Sequence, residues 1–199
     1  MNWPNFISIS RLGLAAIAIL WLLIKPTPTM LVASAVLTLL VIALDGLDGY
    51  VARKLNQATP SGAVIDILAD RSVEMIYWIT FATLGWVTVL IPMIVCIRGI
   101  WVDGIRALAL QQGYTAFGST SMMQHPLAIL LTSSRFSRWT YAALKAVVFI
   151  VVILAQHPLF CIALQPWATG LCWASVIFCL LRGIPVFTEG VRFLNPPKA

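Results

Sequence analysis

Four aspartates, Asp45, Asp48, Asp66 and Asp70, lie within 26 residues of a chain that is otherwise a series of apolar segments. On helices, the first two at i and i+3, and the last two at i and i+4, each fall on one face. Because ionisable groups inside a bilayer are costly, such a cluster is expected to be functional. The spacing predicts two adjacent antiparallel helices that direct four carboxylates into one pocket.

Very small residues accompany these acids. Gly49 and Ala52 share a helix side with the first pair of aspartates, and Gly62 precedes the second pair by one turn. The Pro-Ser-Gly sequence at 60–62 predicts a break between the two helices. Residues this small let a ligand approach the helix backbone closely.

The segment resembles, at every spacing, the signature of the CDP-alcohol phosphotransferase family. Members of that family are membrane enzymes that move a phosphatidyl or similar phosphoryl group from a CDP-linked donor to an alcohol and release CMP. The matching residues are Asp45, two residues, Asp48-Gly49, two residues, Ala52-Arg53, eight residues, Gly62, three residues, Asp66, three residues and Asp70. Fixed identities at this many fixed offsets make the motif far more specific than a lone glycine pattern.

The resemblance implies a role for each matching residue. It implies two divalent ions, magnesium or manganese, held by the four aspartates, with Asp70 also acting as the catalytic base. It implies a membrane lipid donor, CDP-diacylglycerol, and a small polar alcohol as acceptor. The implied donor-binding residues are Asp48, Gly49, Ala52, Arg53, Gly62 and Asp66.

These residue types suit phosphoryl transfer. Magnesium prefers hard oxygen ligands, and the acidic segment contains no cysteine or histidine. Two metals can clamp a diphosphate and stabilise the departing CMP, while a carboxylate takes the proton of the acceptor hydroxyl. Arg53 supplies a planar, permanently charged group for phosphate.

A different class of protein could use the same acids. Arg53, Lys54 and Arg71 are close enough in sequence to form intramembrane salt bridges with them, and a small cation-coupled transporter could use them as an ion or proton site. A transporter has no need of small residues and an arginine on the acidic face, and the sequence shows no inverted repeat. Glu74 lies outside the motif and is expected to cap a helix or pair with Arg71.

Composition predicts an all-α integral membrane protein. Of the 199 residues, 60% are hydrophobic and 10% charged, and the mean hydropathy is +0.93. Soluble domains have about 25% charged residues. The length allows about six spans of ~20 residues each, so residues 1–199 are expected to form a single membrane domain.

The apolar segments locate the expected helices. Residues 2–10 predict a short interfacial helix, with Arg11 among the lipid headgroups. No cleavable signal peptide is expected, because the basic region is thin and no cleavage site follows. Six spans are predicted at about 12–24, 30–45, 62–84, 86–110, 135–155 and 161–187, with one long connection at 111–134.

The distribution of basic residues predicts the orientation. On this layout almost all of them fall on the side of the aspartate motif, and Lys25 is the clear exception. The positive-inside rule then directs both termini and the active site to the cytoplasm, in what we expect to be a bacterial inner membrane. The net charge of +6 suits anionic lipid and requires no nucleic acid.

A second group of charges is expected to bind the acceptor. Arg98 and Arg106, and likewise Arg135 and Arg138, are spaced to share a helix side, and arginines in a bilayer require an anionic partner. In the family, basic residues of the later helices hold the acceptor's phosphate when it has one. Two simpler interpretations stay open: long basic chains such as Lys145 can extend to the interface, and Asp103 can neutralise Arg106.

Two sets of residues bear on the identity of the acceptor. The opening residues 2–5, Arg11, the length, and the order of Arg98 and Arg106 are similar to bacterial phosphatidylglycerophosphate synthases, whose acceptor is glycerol 3-phosphate. Gly99 and residues 134–138 depart from that group. The stretch from residue 53 through residue 72, and residues 132–135, are instead similar to phosphatidylinositol synthases. Glycerol 3-phosphate is the favoured acceptor, with inositol or inositol phosphate as the alternative.

The remaining features predict little chemistry. Cys96, Cys161, Cys172 and Cys179 lack metal-site spacing, and both histidines stand alone in loops. The small residues at 170 and 174 form a small-xxx-small step, which is a candidate for helix packing or a homodimer contact.

Overall fold

A computed structural model describes the protein over residues 3–24, 26–54, 60–115 and 121–194. Side chains are described there except at 3–8, 47–54, 60, 61, 63 and 135. The described chain is helical and contains no strand. Its α-helices are α1 (Trp3–Leu23), α2 (Pro28–Lys54), α3 (Pro60–Thr83), α4 (Leu90–Gln111), α5 (Pro126–Ala128), α6 (Arg135–Leu154) and α7 (Cys161–Leu194). A π-helical turn, Ile129–Ser133, follows α5.

The all-α prediction is confirmed, and each predicted span corresponds to a helix. Within the part of the chain that the structure describes, three helical stretches are long and apolar enough to cross a membrane: Pro28–Gly46, Pro126–Leu154 and Cys161–Leu194. Helices α1, α3 and α4 are shorter in apolar length or carry more charge, so the count of six spans stays a prediction. The separate N-terminal interfacial helix is not confirmed, because α1 runs without interruption from Trp3.

The chain is organised into two compact units. Unit 1 comprises Met1–Pro92 and Ala146–Cys172, and unit 2 comprises Met93–Lys145 and Trp173–Ala199. Helices α4, α6 and α7 each contribute to both units. The assignment of residues 1–199 to a single domain stays a prediction.

Regular buried stripes build unit 1. On α1, the side chains of Arg11, Ala15, Ala18 and Leu22 are all buried, at the spacing of one helix face. Helix α1 packs against both α2 and α3. On α3, Tyr77, Trp78 and Phe81 surround Phe149 of α6, with ring centroids 5.1 to 5.6 Å apart.

Polar contacts between helices fix how the helices of unit 1 align. The Ser34 hydroxyl of α2 donates to the carbonyl oxygen of Ala18 on α1, at 3.1 Å. The hydroxyls of Thr38 on α2 and Tyr77 on α3 lie 2.9 Å apart and are hydrogen-bonded. Such contacts between apolar helices contribute about 0.6 kcal/mol each on average. They hold α2 against both of its neighbours about two to three turns before Asp45.

Unit 2 packs around the ends of α4 and α7. Its buried core contains Val102, Ile105 and Ala109 of α4 and Val186 and Phe193 of α7, joined by Met122, Met123 and Ala128. Close approach of α7 depends on glycines, because a Cβ built at residue 190 would lie 2.3 Å from Cγ2 of Ile105. The Glu189 carboxylate accepts hydrogen bonds from the backbone N–H groups of Gln124 and His125, which ties the long connection to α7.

The small-xxx-small step at residues 170 and 174 is also on α7, and the sequence analysis predicts it to be a site of helix packing or of a homodimer contact. A Cβ at Gly170 would meet nothing within 4 Å. Gly170 is therefore not a close-packing position among the described residues. A homodimer contact at this step stays a prediction.

Candidate active site

Helix α2 carries Asp45 on its buried face. Ser34, Thr38 and Val41 are fully buried and precede Asp45 at spacings of four, three and four residues, so the same stripe leads to the carboxylate. The side chain of Asp45 is 35% exposed, which leaves it within reach of ions and water. Buried packing and hydrogen bonds therefore position the helix, and the buried stripe ends in an accessible acid.

Helix α3 presents a matching stripe. Asp66, Asp70, Glu74 and Tyr77 follow one another at helical spacing, from a partly exposed end to a buried one. Asp66 is 49% exposed as a side chain, and Tyr77 is fully buried. The break predicted at 60–62 is wrong in its position, because these residues form the first turn of α3, which begins at Pro60, where proline suits the first turn of a helix.

The guanidinium group of Arg11 contacts both Asp45 and Asp66. Nη2 of Arg11 lies 2.5 Å from Oδ1 of Asp45, and Nη1 of the same residue lies 3.5 Å from Oδ1 of Asp66. The Arg11 side chain is only 2% exposed. The prediction that Arg11 lies among lipid headgroups is therefore wrong, because α1 packs its arginine inward between α2 and α3.

The other motif residues are only partly described. Asp70 lies one turn beyond Asp66 and is half-buried, and Gly62 is half-buried at the start of α3. The side chains of Asp48, Ala52 and Arg53, and the surroundings of Gly49, lie outside the described residues. The pocket of four carboxylates therefore stays a prediction, of which the convergence of Asp45 and Asp66 is the described part.

A divalent ion fits the described carboxylates in chemistry. Their oxygens are the hard ligands that magnesium and manganese prefer, and two of them from different helices already share one positive group. Among the described side chains, no group of three or more His, Cys, Asp or Glu residues is positioned to hold a metal. The side chain of Asp48, another aspartate of the motif, lies outside the described residues.

Glu74 belongs to a separate ion pair. Its carboxylate is buried, and its Oε2 lies 3.3 Å from Nη1 of Arg71 on the next turn back. The expected pairing with Arg71 is confirmed. The capping alternative is not, because Glu74 lies in the interior of α3.

Unit 2 contains a second charged feature, a buried arginine on α4. The Arg98 side chain packs against Gly183 of α7, and the residue is 7% exposed. Among the described residues, no hydrogen-bond acceptor reaches its Nε atom. A buried, incompletely bonded guanidinium is costly, so an anionic ligand would be favourable here.

Arg182 of α7 joins this feature, although the sequence analysis did not single it out. It is 8% exposed and lies within electrostatic range of Arg98 and Arg138. Its Nη2 donates to the carbonyl oxygen of Thr132 in the π-helical turn, at 3.5 Å, and its guanidinium lies 5.2 Å from the ring centroid of Tyr141. We call Arg98, Arg138 and Arg182 the arginine cluster.

The balance of charge differs sharply between the two units. Unit 1 contains five acidic and five basic residues, whereas unit 2 contains two acidic and eight basic ones. The two acids of unit 2 have other partners, since Asp103 lies 4.0 Å from Arg106 and Glu189 accepts from the backbone. The whole net charge of +6 therefore resides in unit 2, which favours an anionic ligand there.

The four arginines predicted to bind the acceptor have different surroundings. Arg98 and Arg138 belong to the arginine cluster. Arg106 is paired with Asp103, as the simpler interpretation expected. The side chain of Arg135 lies outside the described residues. Lys145 lies over the Tyr141 ring, 4.9 Å from its centroid.

Together these features define an all-helical integral membrane protein with an acidic site in one unit and a basic cluster in the other. A family model described as CDP-alcohol phosphatidyltransferase matches residues 1–181. The chain belongs to this family and is an enzyme, as the aspartate motif predicted. Enzymes of the family generally depend on divalent metal ions.

Several bacterial relatives carry the same name, CDP-diacylglycerol–glycerol-3-phosphate 3-phosphatidyltransferase. The relative from Aquifex aeolicus is 44% identical over 71 residues, which are 36% of this chain and 38% of that protein. The relative from Wigglesworthia glossinidia brevipalpis is 30% identical over 127 residues, 62% of this chain and 68% of the relative. The relative from Bacillus subtilis is 22% identical over 205 residues, 98% of this chain and 97% of the relative. The first of these alignments thus spans little more than a third of either protein.

Proposed function

We propose that this enzyme transfers a phosphatidyl group from CDP-diacylglycerol to glycerol 3-phosphate and releases CMP. Family membership supports the reaction class, and the printed activity of the relatives supports the donor and the acceptor. The observation that carries the choice of a phosphorylated acceptor is the pair of buried arginines, Arg98 and Arg182, in a unit with only two acids.

The four aspartates would hold two divalent ions, magnesium or manganese. The proposal rests on the motif spacing, on the accessible carboxylate of Asp45, and on its convergence with Asp66 on one cation. When bound, such ions neutralise the donor diphosphate and the charge that develops on the departing CMP.

Asp70 would act as the general base. Its carboxylate takes the proton of the acceptor hydroxyl as the acceptor oxygen forms a bond to the phosphorus that bears diacylglycerol. The bond between that phosphorus and the oxygen bridging to CMP breaks, and CMP leaves with the electron pair. The product is a phosphodiester that joins diacylglycerol to the acceptor.

The small residues of the motif would admit the nucleotide. Gly49, Ala52 and Gly62 lack bulky side chains, so the cytidine diphosphate can approach the helix backbone. Arg53 would bind a donor phosphate through its planar guanidinium.

The arginine cluster would bind the phosphate of glycerol 3-phosphate. Guanidinium groups form paired, charge-assisted hydrogen bonds with phosphate oxygens, which a neutral polyol cannot match. Arg135 belongs to the same proposal through its position beside Arg138 in the sequence. Arg106 is a weaker member, because Asp103 already neutralises it.

The site would face the cytoplasm of a bacterial cell from the inner membrane. The basic residues on the motif side of the predicted layout support this orientation. The donor nucleotide and glycerol 3-phosphate would then reach the enzyme from the aqueous side.

Acceptor choice is tested with purified protein in detergent micelles. CMP release from CDP-diacylglycerol is measured with glycerol 3-phosphate, inositol, inositol phosphate and serine as separate acceptors. The proposal expects glycerol 3-phosphate to give the highest kcat/KM. A higher kcat/KM for inositol or inositol phosphate would transfer the assignment to a phosphatidylinositol or phosphatidylinositol phosphate synthase.

A further inference from the structure

Arg11 is a deeply buried charged residue that contacts two aspartates of the motif. The residue is 1% exposed, and its two terminal nitrogens contact acids on two different helices, Asp45 on α2 and Asp66 on α3. The aspartate signature begins at Asp45, so Arg11 lies well outside it. One side chain of α1 thus links the helices that carry the motif.

The chemistry of these contacts is that of a bound cation. Carboxylates gathered in one pocket repel each other, and a positive group between them removes part of that repulsion. The planar guanidinium can serve two carboxylates at once through separate nitrogens, which a single ammonium does less well. Before a metal binds, Arg11 therefore supplies part of the positive charge that the metal would later supply to Asp45 and Asp66.

We propose that Arg11 is a positioning residue that holds Asp45 and Asp66 together as an internal counter-ion until divalent ions bind. This inference rests on the proposed metal site. Arg11 and the metal are then alternative sources of positive charge for the same carboxylates. Each should stabilise the fold more when the other is absent, which is a thermodynamic coupling of defined sign.

The coupling is measured by thermal unfolding of Arg11→Gln and the parent protein in detergent, in EDTA and in saturating magnesium. In EDTA the variant should unfold at least about 4 °C below the parent, and magnesium should reduce that gap by about half or more. Arg192→Gln is the matched control, because Arg192 donates to the carbonyl oxygen of Met122 in unit 2 and contacts no motif residue among those described. Its unfolding temperature should differ from the parent's by the same amount with and without magnesium.

Arg11→Lys separates charge from shape and keeps the test usable if the glutamine variant does not fold. Lysine retains the positive charge, so it should recover at least half of the loss seen in EDTA. Manganese binding, followed by the electron paramagnetic resonance of free Mn²⁺, gives an independent readout. Arg11→Gln should bind Mn²⁺ about three-fold more tightly than the parent, or tighter still, because a competing cation has been removed.

Each contrary result has a distinct meaning. An Arg11→Gln gap that is equal in EDTA and magnesium, or a lysine variant that recovers nothing, would overturn the counter-ion role while leaving the metal site intact. A parent protein that shows neither a magnesium-dependent shift nor Mn²⁺ binding would overturn the metal site itself, and the role of Arg11 with it.

Discussion

Arg98 on α4 occupies the space that Gly183 on α7 leaves empty: a Cβ at residue 183 would lie 3.0 Å from Nε and 3.3 Å from Cγ of the arginine. Both distances are tighter than ordinary van der Waals contact. The position of a buried guanidinium therefore depends on a neighbouring residue that has no side chain. Gly183 directly follows Arg182 in the sequence. One turn of α7 therefore carries one member of the arginine cluster, Arg182, and contacts a second member, Arg98.

Gly183→Ala tests this contact without removing any charge. The added methyl group should displace the Arg98 side chain by a few tenths of an ångström and raise the KM for glycerol 3-phosphate by about three-fold, because charge-assisted hydrogen bonds depend on geometry. The KM for CDP-diacylglycerol should change little. Steady-state kinetics with each substrate varied in turn provide the measurement.

The control is Gly170→Ala, on the same helix, where a Cβ meets nothing within 4 Å. It should leave both KM values at the parental level. If Gly183→Ala leaves the KM for glycerol 3-phosphate unchanged, the proposal that Arg98 binds the acceptor is contradicted.

Removal of the guanidinium groups themselves should have a larger effect. Arg98→Ala, Arg138→Ala and Arg182→Ala each lose charge-assisted hydrogen bonds worth roughly 1.5 to 3 kcal/mol, so each should raise the KM for glycerol 3-phosphate about ten-fold or more. Arg192→Ala, which removes an arginine of unit 2 outside the cluster, should raise it far less. Parental acceptor affinity in all three cluster variants would remove the phosphate-binding role.

Divalent metal should be required for turnover. A pocket of four carboxylates needs positive charge to bind an anionic diphosphate, so excess EDTA should abolish CMP release, and added magnesium or manganese should restore it. The measurement is CMP release before and after dialysis against chelator. Full activity in excess EDTA would contradict the two-metal proposal.

Asp70 and the other aspartates should differ in which step they affect. Asp70→Asn should lower kcat by at least ~10² while the donor still binds, because the role that Asp70 adds to metal binding is removal of the acceptor's proton. Asp45→Asn and Asp66→Asn should weaken metal and donor binding as well. Calorimetric titration with a CDP-linked donor measures the donor affinity of each variant. Loss of donor binding in Asp70→Asn would contradict the distinction between Asp70 and the other aspartates.

Local spacing made part of this site predictable from sequence. The aspartates lie one helical turn apart within each pair, so their faces follow from helix geometry alone, and the start of α3 follows from proline. Helix positions along the chain were predictable for the same reason, because apolar runs and breakers are local signals.

Contacts between distant segments were not predictable in this way. Arg11 lies far from Asp45 in sequence, and only the packing of α1 on α2 and α3 brings them together. Arg182 and Arg192 stand far apart in the long apolar helix α7 and gave no periodic signal, so Arg182 was passed over. Which glycines of α7 meet a neighbour also depends on tertiary packing, which is why Gly183 and Gly190 have the close contacts expected of Gly170.

The central claim is that this chain joins glycerol 3-phosphate to a phosphatidyl group at the aspartate motif. The most direct measurement follows radiolabelled glycerol 3-phosphate into an organic-soluble lipid, with unlabelled CDP-diacylglycerol, magnesium and purified protein, while CMP is quantified in parallel. The account predicts one CMP released for each labelled phosphatidylglycerophosphate formed, and no labelled lipid with the Asp66→Asn variant. Label that stays in the aqueous phase while the parent protein releases CMP, or equal lipid labelling by parent and variant, would contradict it.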